Sequence, residues 1–262
     1  AAIGTIETSK LEKVVLARAV DIEFPEAIDP RLVAARLIDL SANRDGFIAD
    51  LSPAGRPGAM LVGSSPEVLV KRQGSTVSAF PLAGSSPRRA SAAEDHLAGQ
   101  DLLHSSKDLH EHAFVVDHLR RALTPLCERL DIPDVPQLIS TNEMWHLGTP
   151  ISGTLKDKDL TALELALAVH PTPAICGTPA EAAQALIETA ETDRGFYAGA
   201  VGWCDSSGDG EYMVAIRCAE VAGDGLSARA WAGGGIVGDS DAQAELEETT
   251  AKLRTILKAL SL

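Results

Sequence analysis

Apolar positions along this chain alternate over short runs more often than they recur at helical spacing. Lys13 to Phe24, with Val14, Leu16 and Val20 on one side of the alternation, predicts a strand. Gly46 to Leu51, Ala59 to Gly63, Val68 to Arg72 and Thr76 to Leu82 predict short strands joined by Gly, Pro and Ser turns, a meander of antiparallel neighbours. Strands are also predicted over Gln137 to Ser140, His146 to Leu155, Val201 to Asp205, Tyr212 to Val221 and Leu226 to Trp231. Helical spacing intervenes between these groups. Asp29-Pro30 supplies a cap and a first-turn proline for a helix through Leu40. Glu94 to Leu130 predicts one long helix, with His104, Asp108, Glu111 and Val115 along a single stripe. Leu160 to Val169 is an apolar helix, and Thr178-Pro179-Ala180-Glu181 is a helix start. The pattern implies an α+β fold, antiparallel β-sheets covered by helices, formed by one domain over residues 1–262.

The C-terminal stretch concentrates the chemistry. Gly233-Gly234-Gly235 closes the last predicted strand, and backbone without side chains can approach an anion closely. Ser240 and Gln243 have capping-box spacing at the start of a final helix. Glu245, Glu248 and Lys252 follow at i, i+3 and i+7, on one face. Leu246, Leu253, Ile256, Leu257 and Leu260 form its predicted buried side. Two carboxylates one turn apart can hold a hard cation such as Mg²⁺, and they can equally be a solvated acidic face.

Composition narrows the function. A net charge of −14 excludes nucleic acid and anionic membrane surfaces as partners, though a bound cation could still invert the field for an anionic substrate. Aromatic residues make up 4% of the chain, too few for base-stacking platforms. No apolar run reaches membrane-spanning length and no signal peptide is visible, so a cytoplasmic location is expected. Cys127, Cys176, Cys204 and Cys218 lack metal-ligand spacing and are expected to be reduced core thiols. The chain begins without Met, which implies a fragment or a trimmed product, and a monomer is expected.

No nucleophile elbow, zinc helix, Walker loop or dinucleotide fingerprint is present. What remains is a carboxylate set (Asp108, Glu111, Glu245, Glu248), Glu67 after the Gly63-Ser64-Ser65-Pro66 turn, and the cations Lys13, Arg217 and Lys252. A lysine within a buried strand can lose its proton below its ordinary value of about 10.4 and act as a base, or can simply guard a sheet edge. Arg217, inside the apolar Val214 to Ala219 run, needs an anion, and a ligand carboxylate fits its fork.

These residues resemble the chorismate-binding catalytic domain shared by isochorismate synthases, salicylate synthases, anthranilate synthase component I and aminodeoxychorismate synthase component I. The matching segments are Lys13-Val14-Val15-Leu16-Ala17-Arg18, Gly63 to Glu67, Pro81 to Ser85, Lys107 to His112, His170 to Ala174, Ala215-Ile216-Arg217 and Gly233 to Lys252. They follow one another in family order from near the first residue to the end. Lys13 to Arg18, His170 to Ala174 with Cys176-Gly177, and Gly202 to Asp205 resemble the isochorismate synthases of siderophore or menaquinone pathways. Ala83 stands where the aminodeoxychorismate enzymes have a nucleophilic lysine, and anthranilate synthases lack a lysine matching Lys13.

The resemblance implies a Mg²⁺-dependent isochorismate synthase with chorismate as substrate. Isomerisation adds water at C2 and expels the 4-hydroxyl, which requires a base and an acid on opposite ring faces. By similarity, Lys13 activates the water and Glu67 protonates the leaving hydroxyl. Glu111, Glu245 and Glu248 hold Mg²⁺, with Asp108 behind them. His146, Arg217, Lys252 and the N–H groups of Gly234 and Gly235 bind the substrate. Salicylate synthase, which goes on to eliminate pyruvate, and a non-catalytic chorismate-binding remnant are the alternatives. Family members carry a further N-terminal portion that adds strands to the same sheets, and it is expected to lie outside this sequence.

Overall fold

The chain starts with a short helix, α1 (Ala2–Thr8), then a long strand, β1 (Lys13–Glu23). Helix α2 (Pro30–Leu40) begins where Asp29 accepts the Arg31 N–H and proline occupies the first turn. Five strands follow: β2 (Gly46–Asp50), β3 (Met60–Ser64), β4 (Val68–Gln73), β5 (Thr76–Phe80) and β6 (Leu82–Pro87). Next come α3 (Ala92–His104), α4 (Ser106–Leu123), β7 (Cys127–Asp131), β8 (Gln137–Ser140), β9 (Met144–Gly148) and β10 (Ile151–Leu155). The last third holds α5 (Ala162–Val169), β11 (Gly177–Thr178), α6 (Ala180–Ala190), β12 (Ala200–Cys204), β13 (Gly210–Val214), β14 (Cys218–Val221), β15 (Ser227–Ile236) and α7 (Ala242–Ala259). These elements come from a computed structural model that describes residues 2–41 and 43–262.

The strands form two six-stranded sheets, ordered β11-β1-β15-β14-β3-β2 and β12-β13-β4-β5-β10-β7, and a three-stranded sheet, β6-β9-β8. Every pairing is antiparallel, so the α+β expectation of antiparallel sheets covered by helices holds. The largest apolar cluster joins Leu61, Cys218 and Trp231 of the first sheet, Val70, Val77 and Ile151 of the second, and Val115, Leu119 and Leu123 of α4. A second cluster packs α7 (Leu253, Ile256, Ala259) and α2 (Val33, Leu37) on the opposite face of β15. That face is Ala228, Ala230 and Ala232, small side chains that let the helix backbone lie close. Among the described residues, no helix is long and apolar enough to cross a membrane.

Several expected elements are divided. The predicted meander is two hairpins: β2–β3 belongs to the first sheet and β4–β5 to the second. The expected Glu94–Leu130 helix breaks at Ser105, whose extended backbone caps a restart by accepting the Asp108 N–H. His104 therefore leaves the stripe of Asp108, Glu111 and Val115, and Cys127–Asp131 is a strand. His146–Leu155 divides at Thr149-Pro150 between the third and second sheets. The helix at Thr178-Pro179 has Pro179 in the cap position and no side-chain cap. Asp241, not Ser240, caps α7, and Leu246 is exposed rather than buried.

Candidate active site

Three bordering structures meet at one cavity: β15 with its glycines, the inward face of α4, and α7. The cavity has an internal volume of about 60 Å³ and is lined by Glu67, Glu111, His146, Arg217, Gly233, Gly235, Glu248 and Lys252, among others. Strand β15 does not end at its glycines. It runs on to Ile236, paired with β1 in the register Val15 to Gly235, Leu16 to Gly234 and Ala17 to Gly233.

The ladder decides which glycine faces the cavity. The Val15 N–H donates to the Cys176 carbonyl and the Ala17 N–H to Glu191 Oε1, both away from β15. In an antiparallel pair, residues opposite such positions also turn their backbone groups outward. Gly233 and Gly235 thus present theirs on the cavity side, where the Gly233 carbonyl accepts from Lys252 Nζ at 3.0 Å. Gly234, paired with Leu16, keeps its N–H in the ladder and does not line the cavity. Gly235 therefore lines the cavity as expected, while Gly233 does so in place of Gly234.

A side chain at Gly234 or Gly235 would force a carboxylate to shift. A Cβ on Gly235 would stand 2.1 Å from Glu111 Oε1 and 3.1 Å from Lys13 Cε. One on Gly234 would stand 2.8 Å from Glu245 Oε2. Helices α4 and α7 thus lay their glutamates against two successive residues of β15. Each glutamate is met by a lysine. Lys13, wholly buried, places Nζ 3.0 Å from Glu111 Oε1, an ion pair without a well-directed hydrogen bond. Lys107 Nζ lies 2.7 Å from Glu245 Oε1, which also accepts from Ser240 Oγ at 3.0 Å. Lys252 pairs with Glu248, which accepts from Ser85 Oγ at 2.8 Å.

The electrostatics follow from this crowding. Burial, then repulsion from Glu248, raises the Glu245 carboxyl above the ordinary range despite Lys107. Burial also works to raise Glu248, but Lys252, Ser85 and Lys107 outweigh it and hold that carboxyl low. Burial raises Asp108, and the Glu111 and Glu248 charges add to the effect. Among the described residues, no three Asp, Glu, His or Cys side chains converge as a ready ligand set. The donor chemistry still suits a hard divalent cation: carboxylate oxygens from two helices, packed close against the backbone of Gly234 and Gly235.

The opposite wall is cationic and buried. Arg217 does not sit inside a strand. It stands in the gap between β13 and β14 at φ 51°, the left-handed region, and this turns its side chain out of the ladder. Arg217 is 6% exposed, and among the described residues its guanidinium forms no ion pair. Its Nη2 lies 3.4 Å from His146 Nε2. His146 is held neutral: burial, then the charges of Arg217 and Lys252, push its pKa well below the ordinary range. An arginine donor at Nε2 implies that the His146 proton sits on Nδ1.

Glu67 completes the site. Its side chain is buried at the start of β4, within the field of Lys13, Lys252 and Arg217. Burial raises its pKa to about 7, while a backbone hydrogen bond from Leu82 and the three cations hold it from rising further. It therefore carries a proton over much of the neutral range. Residues that the sequence pattern did not mark also line the cavity. Tyr197 stacks on Trp231 at 6.0 Å between ring centroids, and its hydroxyl lies 2.9 Å from the Cβ position of Gly233. A tyrosine within Gly195 to Gly199, in a chain with 2 tyrosines, was the available signal. Ser85 and Lys107 lie within recognised segments, but only the fold shows which carboxylates they hold.

The family described as "Chorismate binding enzyme" matches residues 1–261. A Mycobacterium tuberculosis protein carrying the name MenF is 52% identical over 252 residues, which cover 95% of this chain and 68% of that protein. The isochorismate synthase DhbC of Bacillus subtilis is 46% identical over 261 residues, 98% of this chain and 65% of the relative. A crystal structure carrying the name DhbC, from Bacillus anthracis, superposes with a TM-score of 0.95 at 43% identity, covering 100% of this chain and 70% of that one. The chain spans about two thirds of the length of these relatives. With the family match running from end to end and the fold shared throughout, this chain belongs to the chorismate-binding enzyme family.

Proposed function

We propose that the cavity isomerises chorismate to isochorismate. The observation that carries this reading is Glu67, a buried carboxyl still protonated near neutrality, in one cavity with Arg217, a buried residue without a carboxylate partner among the described residues. A protonated carboxyl can give its proton to a departing hydroxyl. An unpaired arginine recognises a carboxylate through its fork. Chorismate supplies both groups, and the relatives' names agree.

In this reading the chain's own residues divide the work. Arg217 and Lys252, with the backbone of Gly233 and Gly235, hold the substrate carboxylates. His146, neutral and fixed by Arg217, orients the ring. Lys13 takes the proton of the water that attacks C2, and Glu67 gives its proton to the 4-hydroxyl as it leaves. One proton is taken and one given, so the sum is an isomerisation. Burial of these groups strengthens each of these interactions.

Mg²⁺ is the cofactor of this proposal. Glu111, Glu245 and Glu248 would hold it by exchanging their lysine partners for the ion. When bound it supplies positive charge against the ring carboxylate and lowers that carboxylate's electron density. The test is product analysis of chorismate incubated with the protein and Mg²⁺, with and without ammonium. Isochorismate as the sole product supports the proposal. Salicylate with pyruvate, anthranilate, or no turnover each overturns it.

A further inference from the structure

Strand β1 carries Lys13, yet one of its edges is closed by very little strand. Strand β11 covers it only at Lys13 and Val14, and the Val15 N–H then reaches the Cys176 carbonyl. Beyond that point the edge is completed by two side chains from the loop after α6. Glu191 Oε1 accepts the Ala17 N–H at 2.7 Å. Arg194 Nη2 donates to the Val15 carbonyl at 2.7 Å, and Nη1 donates to the Ile175 carbonyl at 2.8 Å. The two side chains are locked to each other through Arg194 Nε to Glu191 Oε2 and Nη2 to Glu191 Oε1, both 2.7 Å.

The pair sits at a junction of cavity walls. Val15 and Ile175, whose backbones it grips, line the cavity, and so does Tyr197, three residues past Arg194 and 5.9 Å from its guanidinium. Glu191 and Arg194 themselves face the outer groove beside α6 and do not line the cavity. They are largely buried, with side-chain exposures of 6% and 15%. Guanidinium geometry suits the task, because its planar fork can bond a carboxylate and two carbonyls at once.

We propose that Glu191 and Arg194 form a positioning clip that fixes the register and height of β1, and with it the Lys13 amine, against the cavity wall at Val15, Ile175 and Tyr197. The clip serves the isomerase reading by holding the base, and it touches no substrate. Loss of the fork frees the strand two residues from Lys13. A misplacement near 1 Å at a reacting group costs on the order of 10²-fold in rate.

The test uses Arg194→Lys, which keeps the charge but loses the fork, and Glu191→Gln, which keeps an oxygen for Ala17, with their double variant. Amide hydrogen exchange over residues 13–17 is measured beside kcat and KM for chorismate. The clip predicts faster exchange confined to β1 and a kcat lower by about 10–100-fold with KM little changed. The double variant should be no worse than the poorer single one, since the residues act as a unit. Unchanged kcat in folded variants overturns the proposal, as does exchange that quickens across the whole chain together with lost activity. If the unsubstituted protein fails to turn over chorismate, the isomerase reading fails. The exchange still judges the clip, and unaltered protection at β1 rejects it.

Discussion

Replacing Glu67 by Gln keeps the shape of the side chain and removes its titration. The buried carboxyl has a pKa of about 7 against an ordinary 4.5. A group raised by folding contributes its full stability below the unfolded value and loses it as pH climbs through the folded one. The gap corresponds to about 3 kcal/mol at ~1.36 kcal/mol per pH unit, and about 2 kcal/mol of it falls between pH 5.5 and 8.5. Urea denaturation of both proteins across that interval isolates the effect, because other groups cancel in the difference. The Glu67→Gln protein should gain about 2 kcal/mol relative to the unsubstituted one as pH rises, because only Glu67 must ionise in a dry site. The same titration should lower kcat/KM above pH 7, where the acid has lost its proton. A stability difference that stays flat with pH would show that Glu67 is solvated, and the acid assignment would fall with it.

Lys13→Ala should lower turnover by ~10²–10⁴-fold, a barrier increase of roughly 3–5 kcal/mol, and leave Mg²⁺-dependent chorismate binding largely intact; normal turnover would remove Lys13 from the chemistry. Gly235→Ala should cost about 1–3 kcal/mol of stability in thermal melts, because its Cβ meets Glu111 at 2.1 Å, while Gly238→Ala, with open space around it, should be near neutral. Equal melting points for the two variants would contradict the packing described. Glu248→Gln should weaken Mg²⁺ binding by about tenfold or more in calorimetric titration without substrate, since affinity follows ligand charge, and unchanged affinity would move the ion elsewhere.

Much of the site could be read from residue spacing. Glu245, Glu248 and Lys252 share a face of α7 because helical periodicity requires it, and Glu111 sits on the inward stripe of α4 for the same reason. The breaks were less legible. Ser105 ends one helix and caps the next through a single side-chain bond, which competes with helix continuation only when the flanking segments pack differently. The apolar run from Val214 to Ala219 predicts Arg217 within a strand, and nothing local signals its left-handed backbone. The Thr149-Pro150 turn divides a continuous apolar run between two sheets, because proline cannot donate to the ladder. The lysine partners of Glu111 and Glu245, and the bonds from Glu191 and Arg194 to β1, join residues far apart in the chain, so tertiary packing alone reveals them.

Water labelled with ¹⁸O reports most directly on the central claim that this cavity adds water to one ring carbon while expelling a hydroxyl from another. With chorismate and Mg²⁺ in H₂¹⁸O, the account predicts isochorismate carrying one ¹⁸O, located at the C2 hydroxyl. Unlabelled isochorismate, or label retained at C4, would contradict it.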